Sequence, residues 1–145
     1  MAQNFRPPAE NELTFSAYTK GGGGCDVCSI DLTTKQVTKH TDSPDTYDEP
    51  EGIFPDGRST LVECDAQNHL GPGHIDLWQL SLDGSGRYTR LTHFSDYPGY
   101  KASNPVVRDD GHYFAFQLGK ATEAAGVGHG IFLYDIAKAP PAGAP

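Results

Sequence analysis

Nothing in this sequence approaches a run of about 18 apolar residues, so no membrane-spanning helix is expected. Basic residues are scarce, with 11 Lys and Arg against 19 Asp and Glu and a net charge of −8, and they cluster nowhere. Nucleic acid and anionic membrane surfaces are therefore excluded as partners, because both need a basic footprint. The N-terminal Met1–Pro8 has no apolar core and does not read as a signal peptide. Cysteine occurs three times, an odd count that builds no disulfide framework. Heptad and helical spacings are missing. So are the motifs G-x-S-x-G and H-E-x-x-H, and no glycine-rich phosphate cradle lies between a strand and a helix. The glycine-rich Gly126-Val127-Gly128-His129-Gly130 precedes a strand with no helix after it. No catalytic residue, cofactor or metal is implied by these patterns.

What the chain does have is 17 Gly and 11 Pro among 145 residues, punctuation that suits short strands and tight turns. The stretch Glu49–Thr92 holds four short β-type runs separated by Asp-Gly turns, the length of one propeller blade. Its neighbours repeat it. Asp110-Gly111 follows Asp56-Gly57 by 54 residues, and at that offset Leu77-Trp78 falls on Ile131-Phe132. An earlier copy lies 50 residues before, with Asp26 over Asp76 and Ile30-Asp31-Leu32 over Leu80-Ser81-Leu82. The fold class expected is all-β, a partial β-propeller of about three four-stranded antiparallel blades near 11–41, 49–92 and 103–136. The first and last are expected to be incomplete: residues 1–10 read as a Pro-rich extension in place of an opening strand, and residues 137–145 as a disordered Pro/Ala tail. The third-blade strands are expected near Pro105–Val107, Tyr113–Leu118 and Gly130–Ile136. Two sheets left without an end strand would expose edges that template self-association, or that missing blades complete.

The set Phe54-Pro55-Asp56-Gly57-Arg58, Ile75-Asp76-Leu77-Trp78, Leu82-Asp83-Gly84-Ser85 and Arg90-Leu91-Thr92 resembles the WD40-like β-propeller repeat of TolB-type proteins. The resemblance covers residues 11–136 and is fullest in the second repeat. Phe54 stands where the family has Ser, Glu51 where it has Pro, and the third turn reads Asp109-Asp110-Gly111. These departures mark a subfamily. The resemblance implies a periplasmic or extracellular six-bladed propeller that binds macromolecules. Similar repeats form the accessory propeller of prolyl-oligopeptidase-type peptidases and the catalytic, metal-dependent propeller of oligogalacturonate lyases, so fold alone selects no function.

Cys25-Asp26-Val27-Cys28 has metal-site spacing, but on a strand residues i and i+3 face opposite ways, so small buried hydrophobes are the expectation. In a meandering blade, the entry into strand one and the loop between strands two and three emerge on one face. Four such loops carry polar and aromatic residues: Asp42–Glu51 with Asp48, Glu49 and Glu51, Asp65–His74 with His69 and His74, His93–Asn104 with Tyr97, Tyr100 and Asn104, and Gly119–His129 with Glu123 and His129. They are expected to form one binding rim for a protein, peptide or glycan. His69 or His74 with Glu49 or Glu51 also suits a divalent cation, and Tyr47, Tyr97, Tyr100 and Trp78 suit aromatic anchoring of a peptide or sugar. The bland alternative is that the histidines bond backbone, the acids keep the rim soluble and Trp78 is core. A non-enzymatic binding scaffold is the leading reading, with lyase and accessory-propeller readings beside it.

Overall fold

A computed structural model describes residues 1–19, 24–124 and 126–139. Among these residues, eleven strands form three antiparallel meanders. The first comprises β1 (Ala2–Phe5), β2 (Glu12–Tyr18), β3 (Cys25–Asp31) and β4 (Val37–Lys39). The second comprises β5 (Asp48–Ile53), β6 (Ser59–Cys64), β7 (Asp76–Ser81) and β8 (Tyr88–Arg90). The third comprises β9 (Tyr100–Val107), β10 (Tyr113–Lys120) and β11 (Ile131–Asp135). Strands β1, β5 and β9 open their sheets and neighbour one another from blade to blade, which places them on the propeller-axis side.

Apolar residues on both faces of the middle blade explain the stacking. Val62 and Leu80 pack with Val27 and Cys64 against the first blade, with Trp78 and Tyr88 at the margin. Leu61 and Leu77 point the other way and pack with Phe54, Leu91, Ala102, Phe114 and Phe116 of the second–third interface. Strands buried on both sides lose strict alternation, as their sequences show.

Residues 1–10 are not an extension. β1 pairs with β2, Ala2 opposite Phe15 and Phe5 opposite Leu13, and so completes the first blade. The Met1 ammonium donates to Ser16 O at 2.7 Å, and Asn4 O accepts from Thr14 Oγ1 at 3.1 Å. This strand was hidden because its turn is Pro7-Pro8-Ala9-Glu10, with Glu10 N–H closing onto Arg6 O at 2.9 Å and Glu10 at φ 54°, in place of Asp-Gly. A second correction concerns β9, which starts at Tyr100, well before Pro105. A register shift between Ala115 and Gln117, with Asn104 at φ 54°, lets the polar Lys101–Asn104 segment join the ladder. The third blade has three strands among the described residues. The end of the Pro/Ala tail, from Pro140, lies outside the described residues.

Arg6 fastens the first blade to the second. Its guanidinium donates to Gly57 O at 2.7 Å and Leu82 O at 3.4 Å, and pairs with Glu12 at 2.9 Å. Gly57 must be glycine twice over: its φ is +68°, and a Cβ there would sit 2.0 Å from Pro7 O. Arg6→Ala is expected to cost about 2 kcal/mol, since several charge-assisted bonds are lost and two carbonyls are left open. A shifted urea midpoint checks this, and an unchanged midpoint would show that the clamp carries no stability.

One device closes both complete blades. Asp76, with no exposed surface, accepts from Thr92 Oγ1 (2.7 Å), Ser95 Oγ (2.6 Å), Phe94 N–H (2.9 Å), Ser95 N–H (3.2 Å) and Arg90 (2.7 Å). Its counterpart Asp26 accepts from Thr41 Oγ1 (3.3 Å), Ser43 N–H (3.0 Å) and Lys39 (3.0 Å). In each blade the threonine hydroxyl also accepts a strand-three N–H, Leu77 and Val27 respectively, both at 2.9 Å. The outer strands Val37-Thr38-Lys39 and Tyr88-Thr89-Arg90 are thereby pinned at their ends.

Candidate functional site

The four polar loops do gather. Asp65, buried at the end of β6, accepts Tyr47 N–H at 2.7 Å and Gly71 N–H at 2.6 Å, which ties the loop before β5 to the β6–β7 loop. Gln67 reaches Ser95 Oγ at 2.9 Å, and Lys101 reaches Pro72 O at 3.3 Å. Ala121 N–H donates to Gly99 O at 2.9 Å, joining the β10–β11 loop to the same rim.

Within this frame the candidate residues fall into an inner and an outer group. On the inner side, Glu49 of β5 accepts from Gln3 of β1 at 2.9 Å and from the Tyr47 hydroxyl. Glu63 of β6 accepts Asn104 N–H of β9. Glu49 thus bridges the axis-side strands of the first two blades, and Glu63 ties the second strand of the middle blade to the axis-side strand of the third. Burial, reinforced by the Glu49 charge, raises the Glu51 carboxyl to about 7. Burial also raises Glu63 to about 7, with the Glu51 and Glu49 charges adding to it against the lowering by Asn104 N–H. Tyr47 is pushed up by burial and by its bond to Glu49. Glu51 and Glu63 are therefore partly protonated near neutrality and can donate as well as accept hydrogen bonds.

Asp48 belongs to neither group. It is buried, its Oδ1 accepts the Tyr88 hydroxyl at 3.0 Å, and burial raises its pKa. Asn104 is exposed but acts through its backbone N–H.

The outer group is aromatic and basic. Tyr100 meets His129 edge-on at 6.4 Å, Lys120 stands over the Tyr100 ring at 5.4 Å, and His129 Nε2 bonds Glu123. Tyr97 is 65% exposed. His69 and His74 lie on the β6–β7 loop, where His74 O accepts from Gln67 at 2.8 Å and Asn68 at 3.0 Å. Among the described residues, no three His, Cys, Asp or Glu side chains converge as a metal site. The three cysteines are buried and unpaired. Burial raises the Cys25 thiol to about 12 and lifts Cys28 and Cys64 too, so none is a thiolate at neutral pH.

Glu63, Gln3 and Lys120 were not among the sequence candidates. Glu63 carried a signal, a lone acid amid Leu61, Val62 and Cys64; Gln3 carried none, because β1 was unread.

Against solved structures, the chain superposes on TolB from Acinetobacter baumannii over 92% of its length, at TM-score 0.61 and 21% identity. It superposes on a TolB described as putative from Agrobacterium tumefaciens over 96%, at TM-score 0.71 and 18% identity. The fold is that of a TolB-type β-propeller. It is a partial one: the chain spans 29% and 46% of those two proteins' lengths. A prolyl endopeptidase structure also matches, over 77% of this chain and 17% of that one, at TM-score 0.57 and 13% identity. No family model matches the chain, and no curated protein does.

Proposed function

We propose that this TolB-like chain is a non-enzymatic binding scaffold whose rim takes a protein, peptide or glycan, in a periplasmic or extracellular setting. The observation that carries the reading is the Tyr100–His129–Lys120–Glu123 cluster beside exposed Tyr97, on loops that brace one another. Rigidly held aromatic side chains give contact area at little entropic cost, and the flanking charges give orientation. The clustered groups favour a peptide among the three ligand classes, since Lys120 and Glu123 offer both signs of charge within one patch.

The test is selection of displayed peptides on the wild-type chain, followed by affinity measurement on the double variant Tyr100→Ala, His129→Ala. Loss of about tenfold or more is expected, given the share of binding energy such anchors carry. Selected peptides that bind wild type and variant equally would sink the reading. The likeness to a prolyl endopeptidase propeller supports a second reading, an accessory propeller beside a catalytic domain. An α/β-hydrolase sequence in the flanking DNA would favour it.

A further inference from the structure

The third blade is the one whose outer edge carries no strand among the described residues. In the other blades that edge is covered in a fixed register: Trp78 opposite Arg90, Gln79 opposite Thr89 and Leu80 opposite Tyr88, and likewise Cys28 opposite Lys39, Ser29 opposite Thr38 and Ile30 opposite Val37. The covering segments share a pattern, an apolar or aromatic residue, then threonine, then a basic residue. At the 54-residue offset, Phe132, Leu133 and Tyr134 take the places of Trp78, Gln79 and Leu80.

The backbone of β11 is set for the same partner. Gly130 O accepts Leu118 N–H at 3.0 Å, and Ile136 N–H donates to His112 O at 3.0 Å, so even-numbered residues bond inward to β10. By the alternation of an antiparallel ladder, Ile131, Leu133 and Asp135 then direct their N–H and C=O groups off the open edge. In the second blade the matching groups are filled: Ser81 N–H meets Arg87 O at 2.9 Å, and Leu77 O meets Leu91 N–H at 2.8 Å. Side chains along the edge are apolar and bare, with Ile131 85%, Leu133 70% and Phe132 38% exposed. Phe132 and Tyr134 offer the aromatic surface on which Tyr88 stacks in the second blade, 5.1 Å from Trp78. The acid that pins the outer strand elsewhere is absent, because Gly130 stands at the place of Asp76. This edge is therefore one on which a strand can exchange.

We propose that the outer edge of β11 is a strand-acceptor site that binds an extended basic segment of a partner protein, antiparallel to Ile131–Asp135. Main-chain bonds supply affinity, alternate side chains supply specificity, and the net charge of −8 favours a basic occupant.

The probe is a fluorescein-labelled peptide with this chain's own sequence from Ser85 to His93, titrated into the full chain by anisotropy. Binding is expected, with slowed amide exchange at Ile131, Leu133 and Asp135. Leu133→Pro removes one outward N–H and no inward bond, so it should weaken binding about tenfold while leaving the urea midpoint near the parental value. The peptide with Thr89→Pro should fail on the wild-type chain, which keeps the test intact if Leu133→Pro does not fold. Absence of binding at millimolar peptide, or equal binding of both peptides, would overturn the proposal. So would protection of those three amides in the peptide-free chain that grows with its concentration, because the occupant would then be a second copy.

Discussion

Replacing Asp76 with alanine is expected to destabilise the chain by about 3–5 kcal/mol, the range for leaving a buried charge network without its partner. The carboxylate has no exposed surface and takes five hydrogen bonds, one from Arg90. Its removal takes the acceptor away from the Thr92 and Ser95 hydroxyl protons and from two backbone N–H groups at the turn Phe94–Asp96. Arg90, only 16% exposed, would keep Asp96 as its single carboxylate partner. A loss of this size approaches the whole stability of many domains of this length. Asp26→Ala should cost less, because Asp26 takes three bonds and its Lys39 partner is 46% exposed. Urea unfolding followed by Trp78 fluorescence gives both values. A loss under about 1 kcal/mol for Asp76→Ala would mean that the network is decorative.

The second large effect is gained, not lost. Glu63→Gln is expected to stabilise the chain at pH 7.5 by about 1–3 kcal/mol and to change little at pH 5. In the folded chain Glu63 titrates at about 7, above the ordinary glutamate value of 4.5. Between those values the folded state holds a proton that the unfolded state has released. Stability from this group is therefore fully present below about 4.5 and drains away as pH rises through 7. Glutamine keeps the oxygen that accepts Asn104 N–H and removes the ionisation. Glu51 adds a slope of the same sign. His40, lowered by burial, adds the opposite one. Asp31, Asp83 and Asp96 are lowered, by hydrogen bonds for the most part, and do not titrate in this window. Comparing parent and variant at each pH cancels the groups that do not couple to Glu63; the Glu51 charge, which helps to raise Glu63, does not cancel and acts with the same sign. Equal stability differences at pH 5 and pH 7.5 would refute the assignment.

Several parts of the fold were legible because they rest on local rules. Asp-Gly turns at Asp56-Gly57, Asp83-Gly84 and Asp110-Gly111 all place glycine at positive φ; the offset from Asp56 to Asp110 recovers the third blade, and that from Asp26 to Asp76 recovers the first. The two-sided apolar character of Leu77–Leu80 announced a strand packed on both faces. β1 was illegible, because a Pro-Pro turn and the polar run Ala2–Phe5 carry no periodic signal; its stability comes from pairing with β2 and from Arg6 reaching across the blade boundary. The rim was half legible. Loop topology brought Tyr97, Tyr100 and His129 to one side, but nothing local revealed that Asp48 turns inward to Tyr88, or that Glu63 crosses to Asn104. Those contacts span 40 and 41 residues and depend on how blades abut.

Synthesis order gives the Arg6 clamp a further meaning. Each blade is a meander of near neighbours, so the first can pair its strands soon after Thr41 leaves the ribosome. Arg6 is then already in place, but its acceptors lie 51 and 76 residues downstream, at Gly57 and Leu82. Until Gly57 emerges, the nascent first blade carries a guanidinium with Glu12 alone for company, and until Leu82 follows its clamp is incomplete. Its docking is timed by translation of the second blade, and a pause placed between Thr41 and Leu82 would lengthen its exposure to chaperones.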